Sequence, residues 1–203
     1  MTLHRRQFLQ LLAATAAGPR LVAAQQARTV RLRGTIEALS ADKLTLMERS
    51  GQRMELALAP NWTVTEVYPV TLQDVKAGSF VGVGGMPQSD GSQKAIAVVL
   101  FPENMRGTGE GHYPFDFLPQ STMTNATVAD VARSPSGERL ELRYKDGQKT
   151  IVVPPEAPIV SLRPGERGMV QVGQRVAVNV QDINGTPTVV RVNAGKNGFA
   201  PPY

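Results

Sequence analysis

The sequence predicts an all-β protein built as two small barrels in tandem, and three observations carry that expectation. Nineteen glycines and fifteen prolines in 203 residues favour short strands and turns over long helices. Apolar residues alternate with polar ones at a period of two along several runs, the pattern of strands with one face in a core and one in water. Landmarks also recur in the same order in both halves of the chain, the mark of an internal duplication.

The first copy opens with Arg33-Gly34-Thr35-Ile36-Glu37-Ala38-Leu39 and the second with Asn125-Ala126-Thr127-Val128-Ala129-Asp130-Val131. Gly51-Gln52-Arg53 then matches Gly147-Gln148-Lys149, the run from Gly78 to Val83 matches that from Gly173 to Val178, and strands near Ile96 and Val190 close the copies. Within the copies, Val30, Leu32, Gly34 and Ile36 alternate with Arg31, Arg33 and Thr35, and Leu140, Leu142 and Tyr144 with Glu141 and Arg143. The Arg side chains of the first run are expected on the wet face. Arg49-Ser50-Gly51-Gln52, Lys145-Asp146-Gly147-Gln148 and Asn184-Gly185 supply hairpin turns, where Asn-Gly and Asp-Gly tolerate positive φ. Thr71 with Asp74 three residues later reads as a short capped helical turn. Gly82-Val83-Gly84-Gly85 follows no strand–helix phosphate-binding pattern and reads as a bulge or tight barrel corner. Trp62 reads as a cap on a barrel core.

Roughly 70 residues, five strands and a helical turn after the third describe a closed Greek-key barrel of the OB type. Gly-Thr-Ile near the start, Gly-Gln in a turn and Gly-x-x-Val-x-Val before the last strand also resemble an exported bacterial β-barrel repeat domain of unknown function, often found in tandem. The resemblance spans residues 30–101 and 126–194. It implies an OB-like fold and a place outside the cytoplasm, and it brings no catalytic residues. The expected organisation is a first barrel over 25–101, a connector over 102–125, a second barrel over 126–194 and a tail over 195–203.

The first 24 residues have a basic start, a short apolar middle and a small-residue end, as a secretory signal does. Arg5-Arg6-Gln7-Phe8-Leu9 resembles the twin-arginine export motif, which a receptor reads through Arg5, Arg6, Phe8 and Leu9. The apolar run is too short to span a bilayer, and no later stretch is longer. Cleavage after Ala24 and a bacterial periplasmic location follow as expectations. Removing that segment takes away three arginines and no acid, so the net charge falls from +5 to +2. With so small an excess and no basic stripe, nucleic acid is a poor partner.

Cysteine is absent and histidine occurs twice, as His4 and His112. Disulfides, thiolate chemistry and iron–sulfur clusters are excluded. No nucleophile or acid–base constellation is visible, so the chain is read as non-catalytic.

The connector is the unusual segment. It carries His112, Tyr113, Phe115 and Phe117, flanked by Met105 and Met123. A solvated linker does not hold that much apolar surface. One reading packs the aromatic residues between the barrels. The sharper one makes His112, Tyr113, Phe115, Asp116 and Phe117 a partner-binding loop, since loops on rigid scaffolds carry sites. The expected function is a periplasmic binding or accessory protein that engages an exported protein or envelope complex through its barrel faces and residues 105–123. The alternative is a metal or cofactor carrier. No cofactor is predicted outright, but His112, Met105, Met123 and Asp116 form a mixed donor set in which imidazole and thioether suit copper.

Overall fold

The computed structural model describes residues 29–134 and 137–202. Arg5, Arg6, Phe8, Leu9 and the expected cleavage point lie outside the described residues. Twelve strands are present among those residues: β1 (Thr29–Leu39), β2 (Lys43–Glu48), β3 (Arg53–Pro69), β4 (Phe80–Pro87), β5 (Gln93–Leu100), β6 (Gly111–Pro114), β7 (Thr122–Ser134), β8 (Gly137–Tyr144), β9 (Gly147–Val153), β10 (Ile159–Gly165), β11 (Arg175–Ile183) and β12 (Thr186–Ala194). The only helical elements among them are single 3₁₀ turns, at Leu72–Asp74, Glu103–Met105 and Arg167–Met169. The first is capped by Thr71 and Asp74 as the spacing predicts. The protein is all-β.

Following the hydrogen bonds around β1, β2, β3, β12 and β11 returns to β1, which closes a five-stranded barrel. All its pairings are antiparallel except β3 with β12. A second circuit runs through β7, β8, β9, β5 and β4, closed by a short parallel contact in which Gln93 faces Ile151 and Lys94 faces Val152. β10 lies between β3 and β5 and joins the two circuits, and β6 adds to β7.

Neither circuit comes from one half of the chain alone, which departs from the expected division at residues 25–101 and 126–194. The first ring takes β1–β3 from the first half of the chain and β11–β12 from the second. The second takes β7–β9 from the second half and β4–β5 from the first. β3 is the device that makes the exchange. Its first residues, Arg53–Ala57, pair with β2, while Val64–Pro69 pair antiparallel with β10. The strand therefore carries the chain out of its own ring. In the second half β9 ends at Val153 and β10 begins at Ile159, and between them Pro154 and Pro155, with a missing N–H and a fixed φ, stop the ladder.

The burial confirms the exchange energetically. Ile36, Leu44, Leu46 and Leu56 pack with Val176, Val178, Val189 and Val192 in one core. Val81, Val83 and Val98 pack with Val128, Leu140, Leu142 and Ile151 in the other. At about 1.5–3 kcal/mol for each fully buried aliphatic side chain, the swapped strands hold each ring by several residues apiece. Trp62 belongs to the first core, with the Arg167 guanidinium 4.8 Å from its ring centroid. A third cluster of Val67, Val99 and Val160, with Phe101, Leu162 and Phe199 against it, fills the layer between the rings. Glu66 is buried in that layer and accepts hydrogen bonds from Arg163 at 2.6 and 3.0 Å, with Lys196 at 3.4 Å.

The turns follow local chemistry. Asn184 and Gly185 both have positive φ (54° and 80°) and connect Ile183 to its partner Thr186, the two-residue hairpin that matches strand twist. The β8–β9 loop is Lys145-Asp146, because Tyr144 pairs with Gly147; Asp-Gly there is displaced by one residue from the turn the sequence predicts. The ladder between β4 and β5 shifts register at Gly84/Gly85, so the glycine run does form a bulge.

Candidate functional site

The connector is anchored to both rings. Arg106 pairs with Glu103 and donates through Nη2 to the carbonyl of Gly78 at 2.9 Å. β6 then adds to β7 with Tyr113 opposite Met123 and His112 opposite Thr124. Because side chains alternate along a strand, these two pairs face opposite ways. Beyond Pro114 the chain folds around buried Ser121. The Phe115 N–H donates to the Ser121 carbonyl at 2.8 Å, and the Leu118 N–H donates to the Ser121 hydroxyl at 3.0 Å.

Two arginines of the first ring grip this loop. Arg33 donates through both terminal nitrogens to the Asp116 carboxylate, at 2.8 and 3.2 Å. Its guanidinium lies 5.3 Å from the Phe115 ring centroid and 5.7 Å from that of Phe117. Arg49 donates to the carbonyls of Asp116 and Phe117 at 2.7 and 2.8 Å and lies 5.3 Å from the Phe117 centroid. The two rings stack at 6.2 Å. The hydrogen bonds from Arg33 hold the Asp116 carboxyl below the usual carboxylate range, against an opposing push from burial. Arg33 sits on the outer face of β1, yet it is only 8% exposed because the connector covers it. The expectation of a wet Arg33 is corrected by that cover.

Under the connector lies a cavity of about 520 Å³ between the two rings, within the roughly 300–1,000 Å³ range of small-molecule sites. The outer face of the first ring makes its floor. Arg31 of β1 pairs in register with Asn179 of β11, which pairs with Arg191 of β12, while Asn193 of β12 pairs with Thr65 of β3. Val67, Val99, Val160 and Leu162 form an apolar wall. Met105, Tyr113, Phe115, Asp116 and Met123 form the roof. Asn125, buried on β7, ties the roof together by donating through Nδ2 to the Thr108 carbonyl at 3.0 Å and to the Tyr113 hydroxyl at 3.2 Å. Its Oδ1 packs against Gly82, where a Cβ would stand 2.7 Å from it.

The sequence-predicted residues divide between two places. Met105, Tyr113, Phe115, Asp116 and Met123 come together around the cavity. Phe117 lies beside it, under Arg33 and Arg49. His112 is on the other face of β6, with Nδ1 2.8 Å from the Thr124 hydroxyl. Burial, and then the Lys149 charge, hold its imidazole below the ordinary histidine value. The set of His112, Met105, Met123 and Asp116 is therefore not assembled around one point. Among the described residues, no three or more His, Asp or Glu side chains cluster in a way that would hold a metal ion.

Sequence reasoning missed Arg33, Arg49, Asn125, Asn179 and Arg191. All five are polar residues at ordinary outward strand or turn positions, and only the exchange brings the connector over that face. No helix of the described residues is long and apolar enough to cross a membrane. Compared with family models, curated proteins and solved structures, the chain matches none.

Proposed function

We propose that the chain is an exported, non-catalytic binding protein: two interlocked rings of OB type that hold a small molecule in the cavity between them. The observation that carries this reading is a cavity of about 520 Å³ whose roof is fixed by Arg33 and Arg49 from below and by Asn125 from the side. A preformed, mostly apolar hollow with a few convergent polar groups is the usual form of a ligand site. The circuit of each ring, with its third and fifth strands parallel, supports the OB assignment. The twin-arginine-like leader supports export to the periplasm.

A protein partner is the weaker reading once the connector is placed. Phe115 and Phe117 are spent on Arg33 and Arg49, which leaves Tyr113 and Leu118 as the large exposed apolar side chains of the segment.

The test is to fill the hollow. Asn193→Trp places a large ring on a half-buried floor position without touching either core. Native mass spectrometry of the periplasmic protein should show a bound small molecule, and the variant should lose it while keeping its melting temperature within a few degrees. A variant that retains the molecule places the ligand elsewhere and overturns the cavity reading.

A further inference from the structure

The floor of the cavity is rich in donors and poor in acceptors. Arg31, Asn179 and Arg191 lie side by side across three adjacent strands. The one carboxylate of the lining, Asp116, is already paired with Arg33. Arg191 makes no hydrogen bond or ion pair with any described residue, so the floor holds an uncompensated guanidinium. Asn179 makes no side-chain hydrogen bond either, and its Oδ1 is sealed from solvent; the group it can offer a ligand is therefore its Nδ2 amide. Asn193, next to it on β12, is likewise unpartnered and lines the same hollow. Arg31 already acts on the Asp116 carboxylate and the Tyr113 hydroxyl, so the guanidinium left for a ligand is that of Arg191, which would gain charge-assisted hydrogen bonds from an anion. The opposite wall offers only aliphatic carbons from Val67, Val99, Val160 and Leu162.

We infer that the cavity takes a small organic anion, with a carboxylate or phosphate-ester head on Arg191 and Asn179 and an apolar body against Val67, Val160 and Leu162. The inference rests on the cavity reading above and goes beyond it by fixing the ligand's chemistry. The head requires a planar donor fork, which arginine supplies and lysine does not. The body requires no hydrogen bond, because the wall has none to give.

Octanoate, octyl phosphate, 1-octanol and octylamine serve as probes of equal body and different head, followed by calorimetry and by methyl resonances of Val67, Val160 and Leu162. Octanoate or octyl phosphate should bind at least tenfold more tightly than octanol, octylamine should not bind, and the wall methyls should shift. The stronger of the two anions identifies the head. Arg191→Gln should weaken the anion at least tenfold and leave octanol unchanged; Asn179→Ala should weaken it less. Arg191 is exposed, so its loss does not threaten the fold, and the octanol arm confirms an intact wall in each variant. If octanol or octylamine binds as tightly as the anions, or if Arg191→Gln changes nothing, the anion assignment fails while the cavity stands. If no probe moves the wall methyls, both readings fall together.

Discussion

At the scale of residues, the connector shows how an aromatic cluster can be buried without an aliphatic core. Phe117 has the guanidinium groups of both Arg33 and Arg49 within 6 Å of its ring centroid, and the same arginines bind the Asp116 carboxylate and two backbone carbonyls. Phe117→Ala removes a half-buried ring and two cation–π contacts. It should cost about 1–2 kcal/mol, less than the roughly 3–5 kcal/mol of a fully buried ring, as read from chemical denaturation. His112 gives a second test. Its imidazole is held below the ordinary value by burial first and Lys149 second, so the unfolded chain binds a proton more readily than the folded one. Stability then rises with pH through that window and is lost as pH falls below the ordinary histidine value, about 6.5. His112→Gln should flatten that part of the stability profile. An unchanged slope between about pH 5 and 7 would show that the imidazole is not shielded.

Strands and turns were the most legible level in the sequence, and their limits are physical. The period-two runs place β1, β8 and β11, the Asn-Gly pair places the last hairpin, and the glycine run marks the β4 bulge. These signals are local, and local chemistry decides them. The partner of each strand is not local. The period-two pattern of β1 is the same whichever strand it meets, and nothing in it points to Val176 as the partner of Gly34. The cavity was invisible for the same reason: its roof is legible as an odd segment, but its floor consists of ordinary outward residues. The contact between Gly82 and Asn125 is a test at this scale. Both sit on neighbouring strands, and a Cβ at residue 82 would come 2.7 Å from Asn125 Oδ1 and 2.8 Å from the Phe101 ring. Gly82→Ala should therefore destabilise by about 1–3 kcal/mol through overpacking and loosen the Asn125 bonds that hold the roof, seen as faster amide exchange in β6. A neutral substitution would show that Asn125 and Phe101 can move aside without cost.

For the molecule as a whole, the exchange removes the independence of the halves. Each core holds strands from both halves of the chain, so neither ring is expected to lose its structure while the other keeps its own. Heat or urea should produce one transition, coincident by circular dichroism and by Trp62 fluorescence. Two separated transitions would mean that each ring is an independent unit. A chain cut in the connector should behave likewise: fragments ending at 101 and starting at 102 should stay together through dilution and separate only when both unfold.

The exchanged strands also have a consequence for the order of events on the ribosome. When β5 has been made, β1 and β3 at the open edges of their sheet lack β11 and β12, which are still to come. The strands on hand with a similar apolar alternation are β4 and β5 of the same half. The nascent half thus carries a decoy for its own partner, and closing on it gives a ring with sound local chemistry and the wrong pedigree. The native first ring can close only once β11 and β12 have been made. The antiparallel contact between β3 and β10 comes within reach first, since β10 precedes both missing strands in the chain, and it ties β3 to the second half of the molecule.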